Sequence, residues 1–200
     1  MRLRPCGEAA VLVEPGEGVD VLGLRQAVLG AVGVVEVVPA ACTLLVQFDP
    51  AATTVEAIEH ALTDVAVGTH PQPTGSAVEL DVHYDGADLA AVADEIGVGV
   101  GEVIARHSAG TYTVAFCGFA PGFAYLTGLD PALRVARLAE PRKSVPAGSV
   151  GIAGEFTGVY PRASPGGWRL LGHTSASLWD SRRQPPALLG PGTTVRFLPS

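Results

Sequence analysis

Charge is scarce in this sequence. Only 16% of the 200 residues are Asp, Glu, Lys or Arg, against roughly 25% in a typical soluble domain. With an apolar share of 48%, the chain can bury a sizeable core, which excludes an intrinsically disordered protein. The thin charge also points to surface covered by a partner. Cysteine is nearly absent: Cys6, Cys42 and Cys117 are odd in number and far apart. That excludes a disulfide framework and a zinc site. Lysine occurs once, at Lys143. No apolar run is long enough to span a bilayer, and acids and a proline interrupt the N-terminal MRLRPCGEAAVLVEPGE. A cytoplasmic protein with no membrane partner and no signal peptide is the expectation. A net charge of −7 argues against nucleic acid as a partner.

The charge is unevenly placed. Residues 1–101 carry 3 basic and 15 acidic side chains, whereas residues 102–200 carry 10 and 5. The second half is therefore the better place to meet an anion.

Apolar periodicity divides the chain. Residues 9–13 read as a strand closed by Glu14-Pro15-Gly16. Val21, Leu24 and Val28 recur at helical spacing, and Gly30 and Gly33 end that helix. Residues 34–38 and 43–48 form a hairpin around Pro39-Ala40-Ala41. Thr53 or Thr54 then caps a helix whose Val55, Ile58 and Leu62 share a face. This β-α-β-β-α order fits a small ferredoxin-like α+β unit. The Gly-, Pro- and Ser-bearing stretch 68–76 reads as a linker, which divides the chain into residues 1–72 and 73–200. Beyond it, Val78, Leu80, Val82 and Tyr84 alternate as a half-buried strand. Leu89, Val92 and Ile96 mark one short helix; Val100, Val103, Ile104 and His107 mark a second. Tyr112, Val114 and Phe116 alternate again. From residue 118 onward, 22 of 83 residues are Gly or Pro, a density that favours short strands and tight turns. A β-barrel carrying two helices near its start is the expected second domain.

Three stretches can hold chemistry: 118–131 (GFAPGFAYLTGLDP), 145–154 (VPAGSVGIAG) and 164–174 (SPGGWRLLGHT). In the first, Phe119, Phe123 and Tyr125 flank a Pro121-Gly122 turn. They are either a small-ligand wall beside bare amides or simply core. In the second, Gly148, Gly151 and Gly154 match neither a dinucleotide fingerprint nor a phosphate loop. Ser149 lies outside a nucleophile elbow, because Ala147 stands where the first glycine belongs. Arg142 and Lys143 precede this loop; they are a carboxylate- or phosphate-binding pair or two solvated cations. His107 lies on an apolar helix face and reads as a core histidine, while His173 follows Gly172 in a loop, a better functional position. No histidine pair has metal-ligand spacing.

The same stretches, with 141–154 (PRKSVPAGSVGIAG), 157–161 (TGVYP) and 185–192 (PPALLGPG), resemble the family called allophanate hydrolase subunit 1 or the 5-oxoprolinase B subunit, also described as carboxyltransferase subdomains C and D. The likeness covers nearly the whole chain. Two departures stand out: His173 occupies a usual arginine position, and Ala41-Cys42 replaces a Tyr-Arg pair. The resemblance implies an N-terminal ferredoxin-like domain and a C-terminal cyclophilin-like β-barrel. It implies one component of an ATP-dependent 5-oxoprolinase-type hydrolase acting on C–N bonds, inactive alone. The implied partners are a homologue of allophanate hydrolase subunit 2 (the 5-oxoprolinase C subunit), a third lactam-opening subunit, and a small carboxylate substrate. ATP belongs to the assembled complex, since this chain shows no ATP motif, no metal site and no biotin-attachment lysine. Two other roles attach to the family: a binding module that inhibits a histidine kinase, and a carboxyltransferase component of a urea-carboxylase-like enzyme. The expected substrate-binding residues are Phe119, Phe123, Tyr125, Arg142, Lys143, Ser149, Trp168 and His173.

Overall fold

The computed structural model of the chain describes residues 1–16, 18–63 and 77–200. Two compact units result, Met1–Pro73 and Thr74–Ser200. The expected linker, 68–76, and the boundary at residues 72 and 73 lie outside the described residues.

In the first unit the order is β1 (Arg2–Pro5), β2 (Ala10–Glu14), α1 (Val21–Val28), β3 (Val34–Pro39), β4 (Leu44–Phe48) and α2 (Val55–Thr63). Val11 and Val13 of β2 and Leu44, Val46 and Phe48 of β4 alternate inward. They meet Leu24 and Val28 of α1 and Ile58 and Leu62 of α2 in one core. Burying each such side chain contributes about 1.5–3 kcal/mol before chain entropy is counted. Asp20 caps α1 by accepting the Leu22 N–H at 3.0 Å, and Thr54 caps α2 by accepting the Ala57 N–H at 3.3 Å; each satisfies a donor that a helix start leaves open.

The sheet order is β1-β2-β4-β3, antiparallel throughout. This is the ferredoxin-like arrangement with one substitution. The edge beside β2 is filled by the N-terminal strand β1, which periodicity does not predict. Three of its four residues are exposed, so it has no apolar alternation; it forms because its backbone pairs with β2, Leu3 opposite Val13.

The second unit contains β5 (Val78–Val82), α3 (Leu89–Ile96), α4 (Val100–Ala109), β6 (Tyr112–Cys117) and β7 (Ala124–Thr127). A single 3-10 turn at Pro131–Leu133 follows. Then come β8 (Arg142–Val145), β9 (Ser149–Ala153), β10 (Phe156–Val159), β11 (Ser164–Gly166), β12 (Arg169–His173) and β13 (Thr194–Pro199). Seven strands pair in the order β12-β9-β10-β7-β6-β13-β5, and β11 pairs with β8 in a separate ribbon. The sheet curls until its two edges nearly meet. Just past β5, His83 exchanges both backbone hydrogen bonds with His173 of β12, each at 2.9 Å. Further along, the Gly86 and Asp88 amides donate to the Leu171 and Leu170 carbonyls. Gly172 makes this seam possible, because a methyl group there would collide with the His83 carbonyl. The barrel interior is filled by Leu80, Val82, Val114, Leu126, Val150, Ile152 and Phe197, with α3 and α4 contributing Val92 and Val103.

Candidate functional site

Strand alternation sorts the aromatic residues. Ala124 and Leu126 of β7 enter the barrel core, so Tyr125 between them points to the outer face. Tyr125 stacks on its cross-strand neighbour Phe116, with centroids 4.3 Å apart. Phe123 sits edge-on to Tyr125, Tyr160 and Trp168 at 5.0–5.3 Å. Phe156 of β10 closes on Phe116 and Tyr125. Seven of the twelve aromatic residues thus form one connected group outside the barrel wall. Phe123, Tyr160 and Trp168 are its buried floor, whereas Phe116, Tyr125 and Phe156 are partly exposed.

Phe119 is the outlier. The tight turn at residues 118–122 holds it at φ 65°, a left-handed conformation that costs a non-glycine residue roughly 1 kcal/mol or more. Its ring is 59% exposed and meets Phe123 edge-on at 5.3 Å. The fold therefore holds a large apolar ring out to solvent in a backbone conformation that disfavours it.

Arg142 reaches this region but is already occupied. Its Nη2 donates to Asp88 Oδ1 at 2.7 Å and its Nη1 to the Trp168 carbonyl at 3.5 Å. The other Asp88 oxygen accepts the Leu170 N–H at 2.7 Å. Asp88, almost wholly buried, stands at the start of α3, so the pair ties that helix to β8 and β12. Lys143 is exposed and, as the next residue on β8, points to the opposite face. The two cations expected to act together do not make one fork.

The remaining expected residues lie elsewhere. Ser149 is buried on β9 and faces His173 across the β9–β12 pairing. The His173 imidazole turns to the barrel seam: its Nδ1 is 2.8 Å from Asp85 Oδ1, and its ring lies 5.2 Å from that of His83. The Asp85 carboxyl is held below its usual range, chiefly by the His173 hydrogen bond. Phe119, Phe123, Tyr125, Trp168 and Arg142 are therefore brought together, while Lys143, Ser149 and His173 are not in ring contact with that group.

Sequence reasoning misses Asp88, Tyr160 and Arg137. Tyr160 carries a signal, since it belongs to the TGVYP stretch; Asp88 and Arg137 carry none. The Tyr160 hydroxyl is pushed up by burial, against the opposing pull of a Trp168 backbone hydrogen bond and the Arg137 and Arg142 charges. It therefore stays protonated at neutral pH.

His107 is a core residue, fully buried in α4. The Thr157 hydroxyl donates to the Gly151 carbonyl at 3.1 Å, so its oxygen accepts from His107 Nε2–H at 2.9 Å. That leaves Nδ1 unprotonated to accept from the Tyr84 hydroxyl at 2.8 Å. Burial holds the imidazole neutral, its pKa pushed down to about 3.

Among the described residues, no three His, Cys, Asp or Glu side chains converge as a metal ion would require. No helix of the described residues is long and apolar enough to cross a membrane. In the first unit, Ala41 and Cys42 line a shallow groove of about 500 Å³ with Glu14 and Val21.

A ferredoxin-like unit joined in one chain to a cyclophilin-like barrel with an aromatic outer face defines the class of protein. Residues 1–189 match the family described as carboxyltransferase domain, subdomain C and D, and the chain belongs to it. The B subunit of 5-oxoprolinase from Escherichia coli O157:H7 is 42% identical over 203 residues, covering 96% of this chain and 93% of that protein. The B subunit of 5-oxoprolinase from Bacillus subtilis (strain 168) is 34% identical over 222 residues, covering 98% and 92%. Among solved structures, TTHA0988 superposes with a TM-score of 0.81 at 37% identity over the whole of this chain. This chain spans 41% of that longer one.

Proposed function

We propose that the chain is one component of a 5-oxoprolinase-type hydrolase, working in the cytoplasm on the C–N bond of a small lactam that carries a carboxylate. The observation that carries this reading is the 42% identity to a protein named as the B subunit of 5-oxoprolinase, across nearly the full length of both chains. The geometry supports a half-site rather than a complete one. The barrel offers an aromatic wall, a protonated tyrosine and guanidinium groups. It offers no phosphate loop in the sequence and no nucleophile with an adjacent base in the aromatic group. A homologue of allophanate hydrolase subunit 2 and a third, lactam-opening subunit supply the rest in this reading, with ATP bound in the assembled complex.

The exposed Phe119 fits the same reading. A solvent-facing aromatic anchored on a buried aromatic floor is the kind of residue that dominates subunit interfaces. The family's own description as a carboxyltransferase domain favours a second reading, a component of a biotin-dependent carboxyltransferase.

Co-expression with the subunit 2 homologue and the third subunit separates the two. The first reading predicts a stable complex that opens 5-oxoproline to glutamate with ATP. A complex that instead carboxylates an amide from a biotinylated carrier would establish the second. A well-behaved monomer that ignores the subunit 2 homologue at micromolar concentration would refute both.

A further inference from the structure

Arg137, a residue that no motif singles out, is an exposed cation with no ion pair or side-chain hydrogen bond among the described residues. Arg142 is held by Asp88 and the Trp168 carbonyl, and Lys143 lies on the other face of β8. Arg169 is paired with Glu95. Among the described residues, by contrast, no carboxylate lies within ion-pair reach of Arg137.

Its position is set beside Gly167. The chain beside it is pinned by the Leu138 N–H, which donates to the Gly167 carbonyl at 2.8 Å. The guanidinium lies along Gly167, where a methyl group would sit 3.7 Å from both Nε and Nη2. The neighbouring Gly166 is closed by the Tyr160 hydroxyl, which a methyl group there would overlap. The Arg137 charge is felt at that hydroxyl. An exposed guanidinium with open donors thus lies over the bare backbone of Gly167, close enough for its charge to act on the buried Tyr160 hydroxyl.

Building on the function proposed above, we infer that Arg137 binds the carboxylate of the small ring substrate and that Arg142 serves as a positioning residue. Arg142 holds the Trp168 carbonyl directly and β12 through Asp88, and the exposed Arg137 takes the carboxylate. A planar guanidinium can take both oxygens of a carboxylate, which an ammonium cannot.

The test uses the full chain assembled with its subunit 2 homologue. 5-oxoproline and 2-pyrrolidinone are the probes, two lactam rings that differ by one carboxylate. Binding is read by calorimetry and by Trp168 fluorescence in a Trp179→Phe background. The parent is expected to bind 5-oxoproline at least about tenfold more tightly than 2-pyrrolidinone, in keeping with a charge-assisted hydrogen bond. Arg137→Gln should abolish that preference without changing the weak 2-pyrrolidinone affinity or the thermal midpoint, and Arg137→Lys should restore it in part. Arg142→Gln should instead lower the thermal midpoint and weaken both probes alike. An Arg137→Gln complex that keeps the parent's preference overturns the inference, as does a parent that shows none. Selective binding lost in Arg137→Gln without any ring opening would sink the hydrolase reading and leave this one standing. Ring opening that is indifferent to Arg137 would do the reverse.

Discussion

Lowering the pH from 7.5 to 5 should remove about 2 kcal/mol of stability from the second unit through His107 alone. In the folded chain the imidazole is fully buried, its pKa pushed down to about 3 by loss of solvation; unfolded, it returns to about 6.5. Between these values the unfolded state binds the extra proton, so stability is full above pH 6.5 and falls as pH drops toward 3. At pH 5 the unfolded imidazole is almost wholly charged and the folded one neutral, which corresponds to about 1.5 pH units, or about 2 kcal/mol. A folded pKa one unit higher leaves that figure almost unchanged. The carboxyls of Asp85 and Asp180, also held low by hydrogen bonds, lose their contribution with the same sign only nearer pH 4 and below. Urea unfolding at both pH values measures the effect. Both tryptophans, Trp168 and Trp179, belong to this unit, so their fluorescence reports its unfolding. His107→Gln can still accept from Tyr84 and donate to Thr157, but it cannot titrate. The parent should lose about 2 kcal/mol more than His107→Gln on acidification. Equal losses in the two proteins would refute the assignment of a buried neutral imidazole.

Asp88→Ala should destabilise the second unit by about 2–3 kcal/mol in urea unfolding at pH 7.5, because it strands the Leu170 amide and a half-buried guanidinium. Arg142→Ala should also destabilise the unit, because it leaves the almost wholly buried Asp88 carboxylate with only the Leu170 N–H as partner; an unchanged urea midpoint would show that the pair contributes nothing. Phe119→Gly should leave stability unchanged or raise it by up to about 1 kcal/mol, by relieving a left-handed residue. The same change should weaken the complex with the subunit 2 homologue at least tenfold in a titration; undiminished affinity would remove Phe119 from the interface. Gly172→Ala should abolish the tryptophan-reported transition of the second unit, because its methyl group would force the His83–His173 seam apart.

Local pattern makes much of the fold legible. Val11 and Val13, Val114 and Phe116, and the Leu89-Val92-Ile96 spacing each announce an element in a few residues. β1 is illegible because Arg2 and Arg4 face water and only pairing with β2 makes it a strand. β8 reads as two loop cations because Arg142 and Lys143 break any apolar alternation, while its partner β11 contains Pro165 and Gly166. The site is legible in kind but not in connection. That Phe123 and Tyr125 meet Trp168 depends on the register of β7, β10 and β9, which no local motif encodes. Arg142 looks like a free cation until the barrel brings Asp88 to it from 54 residues away. Charge pairing across such distances is a property of the closed sheet. For the same reason Arg137 passes unnoticed in sequence: only Gly167, folded against it, gives it a place.

The central claim is that this chain is a working part of a lactam-opening enzyme. Its most direct test is an omission experiment on ATP-dependent conversion of 5-oxoproline to glutamate. The subunit 2 homologue and the third subunit are assayed with and without this chain, at matched concentrations. Turnover that appears only when the chain is present is the predicted result. The same rate without it would contradict the account.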